Sequence, residues 1–268
     1  MIKLKRALQY TVLTIVSLLS VFPILWMAIS ATNTSKDVIA GRMVPGTYLI
    51  QNFKNLAASQ NVGGAMFNSF KYSIMLTLLS LLICSLAGYG FEIFHDKGKD
   101  TVMSIILLAM MVPFAATMIP LFQMFSRAGW LNSTIGFILP TISTPFLIML
   151  FRQSARSFPH DIMEAARIDG VSEFGIFFRM FFPTMRSTYA AAMTITFMNA
   201  WNSYLWPKVI MTDDKSITMP MLVANLKAGY TTDYGMLMLG VLLCSIPTVI
   251  IFFILQKSFA EGITGAVK

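Results

Sequence analysis

Six stretches of this chain are too long and too apolar to be read as anything but membrane-spanning segments. They fall at residues 8–30, 70–91, 101–125, 133–151, 188–207 and 236–255. Crossing a hydrocarbon layer of about 30 Å takes roughly 20 helical residues. Within lipid every backbone N–H and C=O must be paired inside the chain, which a helix achieves and an open strand does not. The alternating segments of an outer-membrane barrel are not seen. Composition agrees: of 268 residues, 56% are apolar and 12% charged, against about 25% charged in soluble domains. The expected fold is all-α and integral to the membrane, a single transmembrane domain over residues 1–268 with six helices.

The net charge of +8 does not call for nucleic acid, because basic residues at span ends set orientation in the bilayer. Lys3, Lys5 and Arg6 on the first tail, and the basic residues between 152 and 186, place the amino terminus inside. An even number of spans then puts both termini in the cytoplasm. The first segment carries Ala28-Ile29-Ser30, loosely like a leader cleavage site. Its apolar run is longer than the 7–15 residues typical of a leader, so it reads as a retained span. Cys84 and Cys244 fall inside spans, where cysteine packs as a small apolar residue.

What the spans lack narrows function further. Lys71, Glu92 and Asp233 sit at or beyond span ends, and no span has a charged residue or histidine near its middle. Ion-coupled carriers generally need such groups as relays. His95 and His160 lie in separate loops without metal-ligand spacing. "FHDKGKD" has Gly-Lys but no phosphate-cradling loop before a helix. No catalytic residue, metal site or bound cofactor is expected, so energy for any work comes from a partner.

Some polarity does enter the fifth span. In "TITFMNAWNSYLWPK", Thr196, Asn199 and Ser203 recur at i, i+3, i+7, with Asn202 beside them. Such a stripe either lines a wet passage for a hydroxyl-rich solute or bonds to another helix, at about 0.6 to 2 kcal/mol per bond. Trp201, Tyr204 and Trp206 read as an interfacial aromatic belt. Pro113, Pro120, Pro140, Pro145, Pro207 and Pro247 fall in or at the ends of spans, as kinks or hinges.

The longest cytoplasmic loop, 152–187, concentrates the charge. Pro159 suits a helix start. Asp161 and Glu164 favour the positive end of a helix dipole. Ala165 and Ala166 leave room for a close approach, and Gly170 suits a helix end. Phe174, Phe177, Phe178 and Phe181 then form an apolar stripe, predicting a short helix, a turn and an amphipathic helix that docks by its phenylalanines.

This loop resembles the "EAA" segment of inner-membrane permease subunits of ABC importers, E-A-A-x-x-x-G, nine residues, then I-x-L-P. Glu164, Ala165, Ala166, Gly170 and Pro183 match, with Met180 and Phe182 replacing Ile and Leu, and Ser187 where a second proline is common. "FPHDIMEAARIDG", "WNSYLWP" and the tail "EGITGAVK" further resemble the carbohydrate-uptake branch, the maltose-type second permease. The resemblance implies a cytoplasmic coupling helix between spans four and five. Glu164, Ala165, Ala166, Asp169 and Gly170 would contact an ATPase subunit, and Gly262, Thr264 and Gly265 of the tail would reach between the two ATPases.

It also implies a second, different permease, two cytoplasmic ATPase subunits holding ATP and Mg, an extracytoplasmic sugar-binding protein, and a prokaryotic inner membrane with its lipid. The cargo implied is a sugar, an oligosaccharide, passing Asn199, Asn202 and Ser203. In the family's maltose example the other permease carries most of the sugar contacts. Glycerol 3-phosphate uptake is the alternative cargo, and a stand-alone secondary sugar carrier the alternative from another class.

Overall fold

The computed structural model describes residues 2–228 and 231–265, with side chains for 5–228 and 231–256. Every element among the described residues is helical. Their packing divides into two compact units, one of residues up to 66 with 219–247, the other of 67–218 with those from 248 on.

The first unit holds α1 (Ile2–Ser30), α2 (Ser35–Ile39), α3 (Leu49–Ser59) and, after the chain returns, α14 (Met219–Asn225) and the start of α15 (Tyr234–Gly265). α1 is exposed from residue 5 to 25, as an all-apolar helix is when lipid or another chain is its solvent. Beyond it the chain is tied by amides. Asn52 Nδ2 donates to Ala31 O and Asn33 O, each at 2.9 Å, and Asn33 Nδ2 donates to Val44 O at 3.0 Å. Gly235 packs on this knot: a Cβ there would stand 2.5 Å from Asn33 O.

The second unit begins in α4 (Val62–Ile93), which starts in the first. α5 (Lys97–Ala109) opens under an Asp96 cap that accepts from Lys99 N at 2.9 Å. α6 (Phe114–Arg127) comes next at 96° to α5, not as the single helix expected over 101–125. The cause is Pro113, which donates no N–H and excludes helical geometry from the residue before it.

The segment expected as one helix over 133–151 also divides. α7 (Thr134–Ile138) and one 3₁₀ turn (Leu139–Thr141) meet α8 (Pro145–Ala155) at 55°. Thr144 caps α8 by accepting from Leu147 N at 3.4 Å, and Pro145 takes the first helical position, where a missing N–H costs nothing.

α9 (His160–Ile168) and α10 (Glu173–Ile176) make the charged loop. A π-helical turn (Phe177–Phe181) joins α10 to α11 (Phe182–Thr184). α12 (Arg186–Trp201) and α13 (Leu205–Ile210) divide the segment expected over 188–207 at residues 202–204. Helices 5–30, 62–93 and 234–256 are long and apolar enough to cross a membrane singly, and each bent pair could make one more.

Trp201 and Trp206 are 1% and 3% exposed and face protein, not the lipid side that the expected aromatic belt needs; of the three only Tyr204 is exposed. Trp201 packs against Phe70 and Phe197, and Trp206 donates its Nε1–H to Gly136 O at 2.9 Å. Their indole surfaces are spent on the protein core.

Candidate coupling loop and passage

α8 delivers the chain to the charged loop through a crossing with no spare room. A Cβ at Gly88 of α4 would lie 2.7 Å from Arg152 N and 2.8 Å from Ile148 O, so the two backbones nearly touch. One turn on, Arg152 is 5% exposed. Its Nε donates to Glu92 at 3.0 Å and its Nη2 to Asp100 at 2.6 Å, joining the ends of α4, α5 and α8. Arg156 adds a second, exposed bond to Glu92 at 3.2 Å.

α9 is built as the residues predict. It starts after Pro159, carries Asp161 in its first turn and ends at Ile168. Gly170 has φ +76°, the left-handed geometry glycine adopts without Cβ strain. Val171 N then bonds back to Ala166 O at 2.9 Å and closes the helix end.

The helix has two faces. Met163 and Ala166, each 2% exposed, join Phe158, Ile176, Phe177 and Phe181 in the core with Tyr89 of α4 and Phe151 of α8. Glu164, Ala165, Asp169 and Gly170 are exposed. Of the residues expected at an ATPase contact, Ala166 alone faces inward, where its small side chain seats the helix closely on the bundle. Ile168 was not singled out from sequence, yet it is 85% exposed and Ile162 is 44% exposed. The signal for Ile168 was present: an apolar residue on the face opposite Met163 and Ala166.

Arg167 Nε donates to Glu173 Oε1 at 2.7 Å and so ties α9 to the start of α10. That bond holds the guanidinium charged, raising its pKa above the ordinary value. The expected phenylalanine stripe is divided. Phe177 and Phe181 are buried, but Phe174 and Phe178 are 68% and 50% exposed. The π turn bonds Phe182 N to Phe177 O. Its added residue rotates α11 against α10, a phase change a 3.6-residue period does not contain.

The passage residues meet only in part. Asn199 and Ser203 line a cavity of about 310 Å³ within the second unit, together with Thr141, Thr144, Phe146 and Trp206. Thr196 of the same stripe also lines it. Asn202 does not; it is exposed and caps the end of α12. Gly262, Thr264 and Gly265 fall on the last turn of α15, their surroundings outside the described residues, as are residues 266–268 of the tail.

The described residues form an all-helical, apolar chain with bent helix pairs and a short exposed helix, α9, in its charged loop. The family model for the binding-protein-dependent transport system inner membrane component matches residues 81–265, and the chain belongs to that family. It is a multi-pass inner-membrane transport subunit, not an enzyme.

Similarity to individual proteins runs nearly end to end. The lactose transport system permease protein LacG of Rhizobium radiobacter is 43% identical over 266 residues, covering 99% of this chain and 97% of that protein. The arabinooligosaccharides transport system permease protein AraQ of Bacillus subtilis (strain 168) is 34% identical over 258 residues, covering 94% and 92%. Among solved structures, a chain of a bacterial ABC transporter involved in the import of the acidic polysaccharide alginate superposes with a TM-score of 0.82. It covers 95% of this chain and 96% of that one at 19% identity, a likeness of fold.

Proposed function

We propose that this chain is a permease subunit of an ABC importer for an oligosaccharide, moved by ATP-driven alternating access. The observation that carries the reading is α9, a capped helix rooted in the core by Met163 and Ala166 with Glu164, Ala165, Ile168 and Asp169 projecting from it. Its relatives' names, lactose and arabinooligosaccharides permeases, supply the cargo class.

The projecting face docks on a cytoplasmic ATPase, which holds the ATP and Mg. A rigid element rooted by Met163 and Ala166 in the core shared with α4 and α8 passes on that subunit's movement as a rigid body, where a flexible tether would absorb it. In this reading α1, α4, the α5–α6 pair, the α7–α8 pair, α12 with α13, and α15 are six spans with both termini in the cytoplasm. α12 has only 16 residues and needs α13 to approach the length a bilayer requires. The complex holds a second, different permease, two ATPase subunits whose groove takes Gly262, Thr264 and Gly265, and an extracytoplasmic sugar-binding protein. Asn199, Asn202 and Ser203 belong to the passage. Glycerol 3-phosphate fits less well: a phosphate calls for Arg or Lys, and the residues lining the cavity include neither.

The reading is tested in the reconstituted complex with Glu164→Arg. Sugar uptake and sugar-stimulated ATP hydrolysis should both fall. If both persist with normal amounts of the subunit in the membrane, the coupling assignment is wrong.

A further inference from the structure

Resting on the sugar-importer reading, we propose that the cavity beside α12 is a subsite for one ring of the transported sugar, held by this chain itself. Cargo contact would then not be left to the other permease.

Two interruptions of helix open on the same space. The backbone leaves α-helical geometry between α7 and α8 and again between α12 and α13. Thr141 and Thr144 from the first break and Ser203 from the second line the cavity. Broken backbone in an apolar bundle persists where protein buries it or where it borders a wet space.

The lining is also two-sided. Phe146 and Trp206 give it aromatic surface, while Thr141, Thr196, Asn199 and Ser203 give it hydroxyls and an amide. A sugar ring divides in the same way. Its C–H faces pack on aromatic rings, and its hydroxyls donate and accept, as the Asn amide does in return. The lining residues carry no charge, which suits a neutral cargo.

One polar group there is unsatisfied. Thr196 is 7% exposed and its Oγ1 has no hydrogen-bond partner. Leaving a buried hydroxyl unpaired costs about 1–3 kcal/mol; the Oγ1 is closed off in this structure, and a rotation about χ1 would be needed to turn it toward a bound hydroxyl and remove that cost. The volume of about 310 Å³ lies at the low end of the roughly 300–1,000 Å³ of small-molecule sites. It is room for one ring rather than a chain of them.

The test uses the complete complex, with its binding protein, in ATP-loaded proteoliposomes. The probes are radiolabelled lactose, maltotriose and arabinotriose, with glycerol 3-phosphate as the phosphate-bearing comparison. Thr196→Val removes a hydroxyl that has no partner, so folding should not suffer. Asn199→Leu fills space at an exposed position. Uptake per assembled complex should fall about three- to tenfold in Thr196→Val and further in Asn199→Leu.

In a background with Cys84→Ala and Cys244→Ala, a thiol introduced by Asn199→Cys should be alkylated by maleimide and shielded by the transported sugar. One introduced by Ser126→Cys should not be shielded. Both uptake variants within twofold of the parent, or alkylation at position 199 indifferent to sugar, overturns the subsite. Uptake of glycerol 3-phosphate alone, or of none of the probes by the parent complex, overturns the sugar-importer reading and the subsite with it.

Discussion

Gly88 sits where two helices cross with no room for a side chain. A methyl there would meet the α8 backbone, which cannot retreat as a flexible side-chain end can. Gly88→Ala should therefore cost about 1–3 kcal/mol, the usual range for overpacking, and lower the melting temperature of the purified complex. An unchanged melting temperature would contradict the close crossing. Nearby, two arginines share Glu92 but should not be equal. Arg152 has a side chain 6% exposed, whereas that of Arg156 is 50% exposed. Breaking a fully buried pair costs about 3–5 kcal/mol and an exposed one about 0–1 kcal/mol; Arg152, buried but with partners 18% and 45% exposed, falls between them. Arg152→Ala should thus destabilise more than Arg156→Ala in the same thermal assay. Equal losses would mean the buried pairing with Glu92 and Asp100 contributes nothing special. Sequence could list these charges but not rank them, because burial comes from the meeting of α4 and α8, which are far apart along the chain.

At the level of elements, α9 was readable almost to the residue, since Pro159 and Gly170 bracket it and both act through local backbone geometry. Gly170 gives a graded prediction. A Cβ there would meet nothing within 4 Å, so only the positive φ resists substitution. Asn, which tolerates this region, should be nearly neutral for uptake, while Val should strain the turn by about 1–2 kcal/mol, misdirect α9 and depress transport. If Asn and Val behave alike in the uptake assay, the left-handed turn is not what matters. The helix breaks were less readable. Pro113, Pro140 and Pro145 mark where a kink can occur, yet a proline in a span is often absorbed by neighbours. Sequence gives no angle; the 96° and 55° are read only from the structure. The π turn was hidden for a related reason: Phe174, Phe177, Phe178 and Phe181 fit a regular helix equally well until one residue is inserted into the turn. Spacing groups Asn199 and Ser203, which line the cavity, whereas Thr144 and Phe146 reach the same cavity from another helix.

For the whole molecule, sequence carried the class, since long apolar runs act without tertiary contacts. It did not carry which faces of each helix are buried, as Trp201 and Trp206 illustrate. Under the proposed function, the exposed face of α9 and the core cluster that holds Met163 and Ala166 with residues of α4 and α8 lie within the second unit, so a push on Ile168 and Glu164 is expected to reach α4 and α8. Replacing Ile168 by Asp alters only an exposed side chain, so stability should hold within about 0.5 kcal/mol while sugar-stimulated ATP hydrolysis drops. Full hydrolysis in that variant would remove Ile168 from the contact. The most direct test of borrowed motion is uptake by proteoliposomes carrying both permeases and the binding protein, prepared with and without the ATPase subunits. Sugar should accumulate only when the ATPases and internal ATP are both present; sugar crossing at an equal rate without them would show that the chain opens and closes by itself.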